Sequence, residues 1–270
     1  MRAVWITRPG GPGALEVRET ADPEPGPGQV RLRVRAAGLN FAEVMAAQGL
    51  YPDAPKPPCV VGYEVAGVVD ALGERTPGPA AGSRVLAMTH FGGHADVVCV
   101  PAEQVLRIPD AMSFEEAAAI PVNYLTAYHM LFRIAGVRPG ERVLVHMAAG
   151  GVGTAVLQLC STVGDLEVFG TASAAKHEAL RAEGCAHPID YHATDYAAEV
   201  RRRTGTGTHY MRQMLAGQAC RPVTVSAAAA KAGSPVAACP RWQASTSFTW
   251  CGSRLRTAAT VRSLPGGRAG

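Results

Sequence analysis

Residues 142–163 constrain the fold more than any other stretch of this 270-residue chain. Arg142–Met147 is apolar with little alternation, as expected of a parallel strand buried on both faces. Gly150-Gly151-Val152-Gly153 follows at once, and an apolar helix runs on to about Val163. Glycines between such a strand and helix permit a tight turn, close approach of the backbone to a pyrophosphate, and close helix–strand packing. The helix N-terminus then offers free N–H groups and the positive end of its dipole to phosphates. A purely structural turn is the alternative. The same alternation continues, with a strand at Glu167–Thr171, a helix at Ala174–Ala182 and a short strand at Ala186–Ile189. Tyr191–Arg203 is amphipathic and predicts a further helix. This β-α-β-α-β order is the first half of a doubly wound dinucleotide-binding sheet.

The end of the second strand bears on which dinucleotide fits. An NAD site places an acid there for the ribose 2′-hydroxyl. Here the strand runs into Gly170-Thr171-Ala172-Ser173, with Lys176 close behind and no acid. The Ser173 hydroxyl and the Lys176 ammonium suit a 2′-phosphate, which points to NADPH. Tyr191, after the third strand, is placed to lie against the adenine or the phosphate. The competing view is that Lys176 is an ordinary solvated helix residue.

The first third of the chain reads differently. Val4–Thr7, Leu15–Arg18, Val30–Ala36, Val60–Leu72, Arg84–Met88 and Ala95–Val100 are β-rich runs separated by Gly and Pro. They predict a barrel or sandwich. Ser113-Phe114-Glu115-Glu116 is a capping box that opens a helix. Pro121 should interrupt that helix, and a second one should run from Tyr124 to Ala135 and end at Gly136.

Specific pieces resemble a known superfamily: Gly38-Leu39-Asn40-Phe41-Ala42-Glu43, Gly49-Leu50-Tyr51-Pro52, Gly62-Tyr63-Glu64-Val65-Ala66-Gly67, Thr126-Ala127-Tyr128 and Val143–Gly153. From about Arg2 to Gly207 the chain resembles the medium-chain dehydrogenases/reductases, within them the zinc-free quinone oxidoreductase group. Phe169–Ser173, Lys176–Ala179 and His187–His192 look closest to its vesicle amine transport branch. The resemblance implies α/β plus β architecture: a GroES-like β domain over 1–122, the first half of a Rossmann domain over 123–207, and an atypical tail over 208–270. It implies NADPH-dependent hydride transfer to a small quinone or enone. Asn40 and Tyr51 would face the substrate, Tyr51 as the better donor, and Thr126 would hold the nicotinamide end of a cofactor seated on Gly150, Gly151, Val152 and Gly153. Asn40 capping a turn and Tyr51 as half-buried packing are the plainer alternatives. Where alcohol dehydrogenases carry zinc ligands this chain has Asn40 and Tyr63, and His90 with His94 is too small a ligand set, so no metal is expected.

The tail departs from this pattern. All 22 acidic residues lie at or before Glu199, while Thr208–Gly270 carries eight Lys or Arg. A segment of that length ordinarily holds about six acids. The fourth to sixth strands of the fold are unrecognisable there, and Val223–Ala230 is the one candidate element. The expectation is a poorly ordered tail of out-of-frame or alternatively spliced composition. A chain so truncated can be inactive, and the family's homodimer is not carried over. A non-catalytic, membrane-associated or lipid-handling role is the rival expectation, since a basic tail favours anionic surfaces. The dispersed basic residues argue against nucleic acid. Seven scattered cysteines without a CxxC pair, no stretch of about twenty apolar residues and no signal-like N-terminus give a cytoplasmic expectation, peripheral to membranes at most.

Overall fold

The computed structural model describes residues 1–205 and the short segment Thr260–Arg262. Two antiparallel sheets make the first unit. β1 (Arg2–Ile6) lies between β2 (Leu15–Glu19) and β4 (Cys59–Val60). The larger sheet centres on β3 (Gln29–Gly38), in which Val30, Leu32 and Val34 alternate with Arg31, Arg33 and Arg35. That period turns one face inward and keeps the guanidinium groups on the other. α1 (Phe41–Ala47) follows β3 directly. β5 (Glu64–Leu72) pairs with β3 and with β6 (Arg84–Met88), β7 (Val97–Pro101) pairs with β3, and β8 (Val105–Arg107) pairs with β6. Val30, Leu32, Val65, Val69, Val85 and Val100 form the shared core.

The Ser113–Glu116 capping box forms and opens α2 (Phe114–Ala118). The expected break before Pro121 is present, since α2 stops at Ala118, but the second helix starts at Pro121 itself rather than at Tyr124. Pro121 occupies the first position of α3 (Pro121–Tyr128), where its missing N–H costs nothing and its fixed φ suits a helix. The helix continues as a π turn over His129–Ala135 and ends at Gly136. Tyr124 packs against the cores of both units and so spans them.

The second unit is a three-stranded parallel sheet. β9 (Arg142–Val145), β10 (Glu167–Ala172) and β11 (His187–Asp190) lie in the order β11-β10-β9. α4 (Gly151–Val163) joins β9 to β10, and α5 (His177–Ala182) joins β10 to β11. The lack of alternation in β9 has a direct cause. Val143 and Val145 pack on one face with Val156, Leu157 and Leu131, while Leu144 packs on the other with Phe169, Ile189 and Val200. Val200 comes from α6 (Tyr196–Thr204). The helix expected from Tyr191 thus begins five residues later, because the Asp195 carboxylate accepts the Ala197 and Ala198 N–H groups and caps it there. Cys160 and Cys185 are buried in the α4-side core, and burial pushes their thiols up to about 12 and about 11.

Within the tail, expected to be irregular, one short element is described. Thr260–Arg262 forms a strand, β12, antiparallel to Ala36–Gly38 of β3. Val223–Ala230 lies outside the described residues. No helix among the described residues is long and apolar enough to cross a membrane.

Candidate functional site

The three loops at the carboxyl ends of β9, β10 and β11 open at the same end of the parallel sheet. Ligands of doubly wound folds bind at this end. Gly150 is the N-cap of α4, in extended conformation and with no side chain capping the helix. The first intrahelical bond goes from Thr154 N to the Gly150 carbonyl, leaving the N–H groups of Gly151, Val152 and Gly153 without helical partners. Gly153 has no room for a side chain: a Cβ there would stand 2.4 Å from the Met147 carbonyl oxygen and 2.6 Å from that of Ala148. The helix end is therefore pressed onto the turn that follows β9. These are the features a dinucleotide pyrophosphate requires, and the residues fit one.

Ser173 follows β10 and opens the turn Ala174–Lys176, with Lys176 exposed at its end. Tyr191 follows β11, half exposed, its ring 4.2 Å from that of His192. Thr126 lies on α3, which packs against α4. Sequence reasoning missed Asn123, one turn earlier. Its side-chain oxygen is 2.7 Å from where a Cβ on Gly151 would sit, so Asn123 stands against the glycine loop. The Tyr124 hydroxyl reaches Gln158 of α4, which in turn donates to Glu183 at 2.8 Å.

Asn40 and Tyr51 belong to the β unit. Asn40 is the N-cap of α1 and forms a capping box with Glu43, whose carboxylate accepts the Asn40 N–H at 2.8 Å. Asn40 therefore does cap a turn, but its amide also has a second partner. Asn40 Nδ2 donates to Glu64 Oε1 at 2.8 Å, and Glu64 Oε2 accepts the Val122 N–H at 2.8 Å. Glu64 is 1% exposed. Burial, with the nearby Glu43 charge adding to it, outweighs these two bonds and pushes its carboxyl up to about 7. Gly38 makes room for it, since a Cβ on Gly38 would sit 2.2 Å from Glu64 Oε1. Sequence reading passed over Glu64, although a lone carboxylate in the apolar run Val60–Val69 was a visible signal.

Tyr51 is half-buried beside Ile6, Ala46, Cys59 and Val61. Its ring stands edge-on to Tyr63 at 5.9 Å, and Tyr63 meets Phe91 at 5.5 Å. Burial first, and then the Asp53 and Glu43 charges, raise the Tyr51 pKa, so its hydroxyl keeps its proton. His94 contacts the Gly38 carbonyl oxygen at 3.0 Å, and His90 stacks on Phe91 at 4.1 Å. No group of three or more His, Cys, Asp or Glu that could hold a metal ion occurs among the described residues.

Comparison with known proteins agrees with this geometry. Residues 26–110 match the alcohol dehydrogenase GroES-like domain. The human synaptic vesicle membrane protein VAT-1 homolog is 53% identical over 203 residues, covering 75% of this chain and 52% of that protein. The chain thus spans about half the length of the curated relatives it matches. The crystal structure of the human VAT-1 homolog-like protein superposes with a TM-score of 0.73 at 48% identity, covering 77% of this chain and 66% of the other. Escherichia coli quinone oxidoreductase, solved in complex with NADPH, superposes with a TM-score of 0.72 at 30% identity, covering 76% of this chain and 63% of that one. Its GroES-like domain, its parallel three-stranded unit and these relatives together make the chain a member of the medium-chain dehydrogenase/reductase superfamily, in the neighbourhood of the quinone oxidoreductases.

Proposed function

We propose that this chain binds NADPH at the carboxyl end of its parallel sheet and reduces a conjugated carbonyl, a quinone or an enone, without a metal. The observation that carries this reading is the uncapped N-terminus of α4, held at Gly153 against the turn that follows β9, with Ser173 and Lys176 at the same end of the sheet after β10. The solved relative complexed with NADPH supports the same seat. The N–H groups of Gly151, Val152 and Gly153 would hold the pyrophosphate, Ser173 and Lys176 the 2′-phosphate, and Tyr191 would flank the adenine. Thr126, on the helix against α4, would hold the nicotinamide end. The bound cofactor supplies the hydride. The enzyme's own task is then to hold the carbonyl and stabilise the oxyanion that develops as hydride arrives at the conjugated carbon. Asn40 and Tyr51 are the donors for that oxygen, and Tyr51, protonated at neutral pH, delivers the proton that completes reduction.

Titration of the full chain with NADPH and NADH, followed by fluorescence, tests this reading. Dissociation constants on the order of a micromolar for NADPH, and clearly weaker binding of NADH, are expected. Lys176→Ala should weaken NADPH about tenfold and leave NADH within about twofold, because it removes one charge from one phosphate. Equal affinity of the wild type for both nucleotides, or no binding, overturns the proposal.

A second reading has its own observation. Leu39, Phe41, Val44 and Leu50, on and beside α1, are exposed, Phe41 at 64% and Leu50 at 61%. Such a patch suits peripheral attachment to a membrane surface, aided by the basic charge of 208–270. It predicts sedimentation with anionic liposomes that weakens in salt and is lost in Phe41→Ser/Leu50→Ser. Sedimentation unchanged by that variant removes this reading.

A further inference from the structure

Resting on the reductase reading, the contacts of Asn40 lead to a specific role for Glu64. An asparagine amide has two donor hydrogens and one acceptor oxygen. One Asn40 hydrogen goes to Glu64, and the capping box turns its oxygen to the α1 backbone. One Nδ2 hydrogen is left. A carboxylate only accepts hydrogen bonds. While ionised, Glu64 can therefore satisfy both Asn40 Nδ2 and the Val122 N–H, and it forbids the amide from turning over, since that would set oxygen against oxygen. As an acid it carries one O–H, and that donor welcomes the reversed amide.

We propose that Glu64 is the positioning residue of this site: its ionised carboxylate fixes the Asn40 amide with one hydrogen free for the substrate carbonyl, and its acid form releases that amide. The far end of the same carboxylate grips the first turn of α3, next to Asn123 at the glycine loop. The substrate-side donor and the nucleotide loop thus hang on one buried side chain. The groups bearing on Glu64 are few. Asn40 and the Val122 N–H favour its charge, and Glu43 of α1 opposes it. His94 bears on Glu43 and touches the Gly38 carbonyl rather than Glu64 itself. With the Glu64 carboxyl at about 7, release of the amide falls in the neutral range.

The test exploits a feature of the sequence. The chain contains two asparagines, Asn40 and Asn123. Labelling with [15N]asparagine gives two side-chain amide pairs, and Asn123→Asp identifies the Asn40 pair by removing the other. Between about pH 5 and about pH 9 the Asn40 pair should shift with a midpoint near the Glu64 value. In Glu64→Gln that titration should vanish, leaving the resonance away from its wild-type position at high pH. An Asn40 pair that does not move with pH in the wild type overturns the proposal. So does a titration that persists in Glu64→Gln, which would assign it to Glu43. The wild-type titration stands even if the variant folds poorly. The readout needs no nucleotide, so it fails or succeeds apart from the NADPH titration.

Discussion

Gly153→Ala will weaken NADPH binding by about a hundredfold while leaving the β unit folded. The methyl group would sit 2.4 Å and 2.6 Å from two carbonyl oxygens, both backbone. Neither oxygen can swing aside as a side chain would. Relief requires the first turn of α4 to back away from the Met147–Ala148 turn, and the N–H groups of Gly151 to Gly153 move with it. A hydrogen bond to a charged group contributes about 1.5–3 kcal/mol, so misplacing one or two of them accounts for a hundredfold, or about 2.7 kcal/mol. Gly151→Ala is the matched control. Its methyl group would meet the Asn123 side chain, 2.7 Å away, which can rotate. The loss there should be about tenfold or less. Fluorescence titration of both variants, with circular dichroism to verify folding, measures the contrast. Equal losses at the two positions would mean that the close packing of α4 on the Met147–Ala148 turn does not position the proposed phosphate site.

Phe169→Ala should remove about 3–5 kcal/mol of stability, the usual range for truncating a buried aromatic ring. Phe169 is 0% exposed and is the centre of the cluster that Leu144, Ile189, Val200 and Tyr196 complete. That cluster lies on one face of the parallel sheet, apart from the core under α4. Its loss therefore falls on α6, which contributes Val200 and Tyr196. Urea unfolding gives the magnitude, and amide exchange gives the location. Protection should drop in α6 before it drops in β3 and β5. A cost below about 1 kcal/mol would mean that α6 is held by something other than this cluster.

The fold was legible where one physical signal dominated. The apolar run Val143–Val145 marked β9, because both faces of a parallel strand are covered. The β-rich run Val30–Ala36, set off by Gly and Pro, marked β3. The break at Pro121 was legible, but the start of α3 was placed three residues late because proline both ends and begins helices, and here it does both. The start of α6 was misread because amphipathic spacing was followed through Asp195, whose capping role was available from its residue type. The glycine loop was legible because its chemistry is local. Glu64 was not, because its two partners lie 24 and 58 residues away along the chain. Asn123 was missed for the same kind of reason: what gives it meaning is the approach of α3 to Gly151, a contact between separate elements.

The buried thiols of the parallel-sheet half have a practical consequence. With Cys160 at about 12 and Cys185 at about 11, only roughly one molecule in a thousand or fewer carries a thiolate at either position near pH 8. The thiolate attacks iodoacetamide and displaces iodide, so the closed domain is nearly inert to the reagent, and each opening of the α4 core exposes two ordinary, reactive cysteines. The peptides bearing Cys160 and Cys185 therefore form a built-in clock. The rate at which they acquire the alkyl mark reports how often this half of the molecule opens, and a bound nucleotide that holds it shut would slow that clock.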